Sequence, residues 1–154
     1  MANTYTQIYM HIIFAVAHRE ALIADEWAEE LHHYMTGACQ NRKHFVYATG
    51  GTADHVHLLL GMHPGESVAD LVQSLKIQTS KWINGKYLPG TFGWQSGYGA
   101  FSYSRSFLPV VKRYVENQQE HHRRKTFREE LEEIFQKAGI AYEPQYMMEG
   151  VASC

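Results

Sequence analysis

Asp54-His55-Val56-His57-Leu58-Leu59-Leu60 is the stretch on which the reading of this chain turns. As a β-strand it sends His55 and His57 to one face and Val56, Leu58 and Leu60 to the other, because successive strand residues alternate sides. The two imidazoles then start from Cα atoms about 6.6 Å apart, at about 3.3 Å of rise per residue, and can converge on one metal ion. The leucines can pack into a core. With 10 His in 154 residues, chance alone gives roughly 0.6 His-x-His pairs, so the pair does not decide the function unaided.

A second stretch, Tyr114-Val115-Glu116-Asn117-Gln118-Gln119-Glu120-His121-His122, adds to it. On a helix Tyr114 and Gln118 form an i,i+4 pair on one face. A phenol that can act as a nucleophile then lies beside an amide oxygen that can bind a metal. Asn117 and His121 lie near that same face, either as nucleic-acid contacts or as solvated helix residues. His121-His122-Arg123-Arg124-Lys125 is a local basic run, suited to phosphate contacts or to a solvated helix end. Asp54 can orient a histidine ligand from behind or cap the turn before the strand.

The rest of the chain places these residues. Residues 7–16 alternate, with Ile8, Met10, Ile12, Phe14 and Val16 on one side and Tyr9, His11, Ile13 and Ala15 on the other, as in a central strand. Asp25 can cap a helix to about Gln40 whose apolar face is Trp27, Leu31, Tyr34, Met35 and Ala38. Residues 44–49 read as a strand, Gly50-Gly51 as the start of a turn, and residues 55–62 as its antiparallel partner. Ser67 to Asp70 resembles a capping box, opening a helix with Val68, Leu71, Val72, Leu75, Thr79, Trp82 and Ile83 on one face. Lys76 and Lys81 fall off that stripe and read as solvated.

Residues 85–99 are Gly-rich and read as irregular and mobile, and residues 100–104 as a strand. A helix over residues 107–122 carries only Leu108, Val111 and Val115 as its apolar stripe. Thr126 to Glu129 is a capping box for a last helix over residues 126–138, with Phe127, Leu131, Ile134, Phe135 and Ala138 inward and Gly139 as its stop. Nothing clear follows residue 140. The order βαββαβ is that of a ferredoxin-like, RRM-like α+β fold: an antiparallel sheet with helices on one face, plus the C-terminal tyrosine helix. One domain over residues 1–154 is expected, with its core at about 5–104.

Composition narrows the function. Charged residues at 19% and hydrophobic residues at 45% are ordinary for a globular protein. A net charge of -2 and a pI near 6.5 argue against a generally basic nucleic-acid binder while leaving room for a local basic groove. Cys39 and Cys154 form no CxxC, which implies neither a disulfide framework nor a zinc knuckle. No run is long and apolar enough for a membrane span, and the N-terminus lacks a secretory pattern. No P-loop, HExxH or GxSxG occurs, so no nucleotide cofactor is expected.

Taken together, residues 5–14 (Tyr-Thr-Gln-Ile-Tyr-Met-His-Ile-Ile-Phe), Asp54 to His57, residues 94–102 and Tyr114 to His122 followed by Thr126-Phe127 resemble the HUH single-tyrosine transposases of small bacterial insertion sequences. The resemblance spans nearly the whole chain. It implies that His55, His57 and Gln118 bind a divalent metal, Mg2+ or Mn2+. It implies that Tyr114 attacks a phosphodiester of single-stranded DNA with hairpin ends and keeps the 5′-phosphate as a covalent ester. It further implies a cytoplasmic bacterial or archaeal protein, and a homodimer whose sites combine the histidines of one chain with the tyrosine helix of the other. The thin stripe on residues 107–122 suits such a helix, poorly anchored to its own core. Two alternatives stay open: a hairpin DNA or RNA-binding module of the same fold with its chemistry lost, and an unrelated metal hydrolase in which Tyr114 is structural.

Overall fold

The computed structural model describes residues 3–141. Four strands, β1 (Tyr9–Ala15), β2 (Phe45–Thr52), β3 (His55–Gly61) and β4 (Gly99–Ser102), form one antiparallel sheet in the order β2-β3-β1-β4. Helices α1 (Asp25–Asn41) and α2 (Val68–Lys86) occupy the crossovers of the βαββαβ core. After β4 come α3 (Leu108–Glu116), α4 (Gln118–His121) and α5 (Phe127–Ala138). The α+β architecture is the one expected, and the alternating first stretch is indeed a central strand, with β3 and β4 at its sides.

Both faces of the sheet are covered, because both faces of its central strands are apolar. Ile12, Phe14, Val56, Leu58 and Leu60 join Leu31 and Met35 of α1 and Leu71 and Leu75 of α2 in the larger core. On the opposite face Leu59 and Ala48 meet Val111 and Val115 of α3, while Phe127 and Leu131 of α5 are buried with the sheet. At roughly 1.5–3 kcal/mol for each fully buried large apolar side chain, Val111 and Val115, with the half-buried Leu108 beside them, hold that helix on its own sheet. The stripe is thin but not unpartnered.

Local chemistry sets several boundaries differently from the sequence reading. Asp25 is the first residue of α1 rather than its cap; Ala24 stands at the N-cap without a side-chain hydrogen bond. In the first turn the Asp25 carboxylate favours the positive end of the helix. Ser67 caps α2 by accepting the Asp70 N–H at 3.1 Å. The glycines 50 and 51 lie inside β2, not in the turn. A Cβ on Gly50 would stand 1.8 Å from the Val115 carbonyl oxygen, so the strand stays bare where α3 crosses it.

The Gly-rich stretch is irregular, as expected, but tied down. Lys76 donates to the carbonyls of Gln95 and Gly97 at 2.7 and 2.6 Å, so it is not a solvated lysine; burial lowers its pKa to about 8. Asn84 accepts the N–H groups of Thr91 and Phe92, and Trp94 packs edge-on against Phe14 while donating to Thr79. Among the described residues no helix is long and apolar enough to cross a membrane. Cys39 is buried with a free thiol pushed up to about 12, by burial first and then by the nearby Glu66 charge; Cys154 lies outside the described residues.

Candidate metal and nucleophile site

The site lies on the sheet face that α3, α4 and α5 cover. His55 and His57 point there from β3, and both are wholly buried. Strand register brings a third imidazole alongside. His11 of β1 stands opposite Leu59 and therefore diagonal to His57 on the same face. Its Nε2 lies 2.7 Å from His57 Nδ1. Asp54 accepts the His55 Nδ1 proton at 2.7 Å and also receives the Thr52 hydroxyl at 3.0 Å. Each imidazole of the His-x-His pair is thus held from behind at Nδ1, which turns Nε2 into the site. Burial disfavours ionisation of Asp54, but the His55 hydrogen bond and the Arg19 guanidinium outweigh it and hold the carboxyl below its usual range.

Tyr114 and Gln118 meet this pair from a chain that does not run as one helix. The helix expected over residues 107–122 breaks at Asn117, where φ is -102° and ψ is 29°. Asparagine competes locally for backbone groups and favours such breaks. The Gln118 side chain donates to the Tyr114 carbonyl at 3.1 Å, a carbonyl that the residue-118 N–H would hold in a continuous α-helix. Its other amide atom, Oε1, is thereby aimed at His55 Nε2, 3.2 Å away. The Tyr114 ring lies against His57, His11 and His121 of its own chain, with centroids 5.8, 6.0 and 5.0 Å apart.

The centre of the cluster is a residue that the sequence reading did not single out. Glu130 of α5 is 1% exposed. Its Oε1 stands 3.2 Å from His122 Nε2, 3.3 Å from His57 Nε2 and 3.7 Å from His55 Nε2. Its Oε2 accepts the Tyr114 hydroxyl and lies 3.5 Å from His121 Nε2. Burial opposes the charge on Glu130, yet the His122 hydrogen bond and the close His57 and His55 imidazoles prevail and hold the carboxyl well below its usual range. Burial lowers His57 to about 4 despite that carboxylate. Burial and the negative charge of Glu130 both raise the Tyr114 phenol. The signal for Glu130 was its spacing: it falls at i+3 from Phe127 and beside Leu131, on the inward stripe of α5, where a carboxylate needs partners. His11 had the parity of Ile13 and Ala15.

The remaining sequence candidates fall outside the cluster. Asn117 is exposed at the helix break. Arg123 is exposed and pairs with Glu120 at 2.9 Å, Arg124 is exposed, and Lys125 pairs with Glu133. Asp54 and His121 do join the site. A cleft of about 450 Å³ between α3 and α5 opens onto Tyr114 and Glu130, with Tyr103, Phe107 and Val110 on its walls.

The donor set suits a divalent cation. Nε2 of His55 faces two acceptor oxygens, Gln118 Oε1 and Glu130 Oε1, while its Nδ1 is already engaged by Asp54. A neutral imidazole carries one proton and cannot satisfy both sides. His57 Nε2 is buried and close to Glu130 without a hydrogen bond of acceptable alignment. Lone pairs converging in this way are what a cation binds.

Known proteins resemble this chain in sequence and fold. The family described as "Transposase IS200 like" matches residues 4–118. The ISDra2 transposase TnpA of Deinococcus radiodurans is 25% identical over 118 residues, covering 73% of this chain and 84% of that protein. A crystal structure of a Deinococcus radiodurans R1 protein described as a transposase superposes with a TM-score of 0.61 at 24% identity, covering 77% of this chain and 96% of the other. A REP-associated tyrosine transposase, solved bound to a REP hairpin, shares the fold with a TM-score of 0.53 at 13% identity, covering 75% and 67% of the two chains.

Proposed function

The chain belongs to the IS200-like transposase family, and from that premise we propose that it cuts and rejoins single-stranded DNA through Tyr114. The observation that carries this reading is the Tyr114 ring packed against His57 of its own chain, with Gln118, bonded to the Tyr114 carbonyl, reaching His55 Nε2. In the cutting step Tyr114 Oη bonds to phosphorus and the bond from phosphorus to the 3′ oxygen breaks. A 5′-phosphotyrosine and a free 3′-OH result. The phenol donates to Glu130 Oε2, which orients its oxygen for attack; its proton passes to solvent while the departing 3′ oxygen takes one up. Attack by another strand's 3′-OH reverses the step and joins DNA, serving excision and integration. The ester conserves the bond energy, so no nucleotide is consumed.

The family implies a divalent metal. His55, His57 and Gln118 would hold it, as Mg2+ or Mn2+. When bound it neutralises charge on the scissile phosphate. His11 and Asp54 keep the two imidazoles turned toward it. We further propose that residues 1–154 act as one domain, that the protein works in the cytoplasm as a homodimer, and that its substrate folds into hairpin ends like the one held by the REP-associated neighbour. The contact of Tyr114 with His57 of the same chain supports a site built within each protomer.

Tyr114→Phe tests the nucleophile. The variant keeps the ring packing and should melt within a few degrees of the parent, while its covalent capture of labelled single-stranded hairpin DNA falls below detection. An adduct of undiminished yield would remove Tyr114 from the chemistry. Hairpin binding by the parent with no adduct under any divalent ion would favour the binding-module reading.

A further inference from the structure

We propose that Glu130 and His122, both from the segment after the tyrosine helix, join His55 and His57 on one divalent ion, giving a nitrogen-rich site that takes Mn2+ in preference to Mg2+. The inference rests on the metal reading above and extends its ligand set. The family match ends at residue 118, so neither Glu130 nor His122 falls within it.

Three distances carry the proposal. Glu130 Oε1 stands 3.2, 3.3 and 3.7 Å from Nε2 of His122, His57 and His55. Two ligand atoms each about 2.1 Å from an ion lie roughly 3.0 Å apart at right angles and roughly 3.4 Å apart in a tetrahedron. One carboxylate oxygen close to three imidazole nitrogens is a convergence that an ion can occupy, where hydrogen bonds alone would need a proton on each facing nitrogen. The ligand atoms of His55, His122 and Glu130 all fall within 4.8 Å of one another; His57, outside that trio, meets it through Glu130 Oε1.

The environment of Glu130 points the same way. A carboxylate 1% exposed needs strong positive compensation, because an isolated buried charge is costly. The ionic partners around it are the imidazoles of His55, His57, His121 and His122, which are weak compensation unless protonated. A divalent cation among them supplies the charge. The two oxygens divide the work: Oε1 faces the imidazoles, and Oε2 faces Tyr114 and His121. Three imidazoles with one carboxylate suit Mn2+ and other transition ions, whereas Mg2+ prefers oxygen and keeps its waters.

Metal binding, measured apart from activity, tests this. Full-length protein stripped with EDTA is titrated calorimetrically with MnCl2 and with MgCl2, and nitrogen coupling to bound Mn2+ is read by pulsed electron paramagnetic resonance. The expected result is at least about 10-fold tighter binding of Mn2+ than of Mg2+. Glu130→Gln and His122→Ala should each weaken Mn2+ by about 10-fold or more, and His122→Ala should remove one coupled nitrogen. If Glu130→Gln does not fold by circular dichroism, the less buried His122 position decides the matter alone. Parent-like Mn2+ affinity and unchanged nitrogen coupling in His122→Ala would overturn the extended ligand set and leave the His55 and His57 site standing. Failure of the parent to bind either ion, or unchanged binding in His55→Ala, would overturn both readings.

Discussion

Two glutamates show how burial and partners together decide what a carboxylate does. Glu130 is ringed by imidazoles at the site. Glu66, remote from it, accepts two hydrogen bonds from Arg42 Nε at 3.0 and 2.8 Å and a third from Arg42 Nη2, and faces His44 Nε2 at 2.7 Å. The Arg42 guanidinium, aided by His44 and opposed by burial, pulls Glu66 from 4.5 to about 2. A carboxyl whose pKa falls on folding stabilises the fold fully above its unfolded pKa and loses that contribution as pH drops through the folded one. Glu66→Gln should therefore be less stable than the parent at pH 7, by about 1–3 kcal/mol. The gap should close between about pH 4.5 and pH 2. Melting curves across that range check it, and a pH-independent gap would refute the linkage. Neither glutamate was legible as special in the sequence, because each owes its character to residues distant in the chain.

At the scale of elements, the tyrosine helix is held where a strand has no side chain. Gly50 is buried, and the Val115 carbonyl occupies the space a Cβ would take, 1.8 Å from its position. Gly50→Ala must push α3 off β2, because the obstacle is backbone. It should cost about 1–3 kcal/mol and also reduce adduct formation at Tyr114, one residue from the clash. Thermal melting and the capture assay read the two effects, and a fully active variant of parental stability would show that α3 is not seated there. The sequence made most elements legible, since apolar periodicity is local and strong in residues 9–15, 55–61 and 68–86. It concealed the break at Asn117 and the strand character of Gly50 and Gly51, because both depend on what packs against them. His55, His57, Tyr114 and Gln118 were legible as candidates from type and spacing; their supports, His11 and Glu130, were not.

For the molecule as a whole, the sheet works with both faces: one holds the larger core against α1 and α2, and the other holds the imidazoles under α3, α4 and α5. Since one chain brings Tyr114 to its own His57, a mixture of Tyr114→Phe and His57→Ala proteins under subunit exchange should stay as inactive as either alone. Recovery of cleavage would instead show that chains trade their tyrosine helices, the arrangement first expected from the resemblance. The family match ends within the site. It stops at residue 118, yet the Tyr114 hydroxyl bonds to a carboxylate twelve residues further on. The matched part of the chain thus holds Tyr114, the proposed nucleophile, while the segment after it surrounds the phenol and raises it. Kin that share the first part and differ in the second could diverge in working pH and ion preference with no change in the shared core, so grafting residues 119–141 between relatives would transfer those traits as a unit.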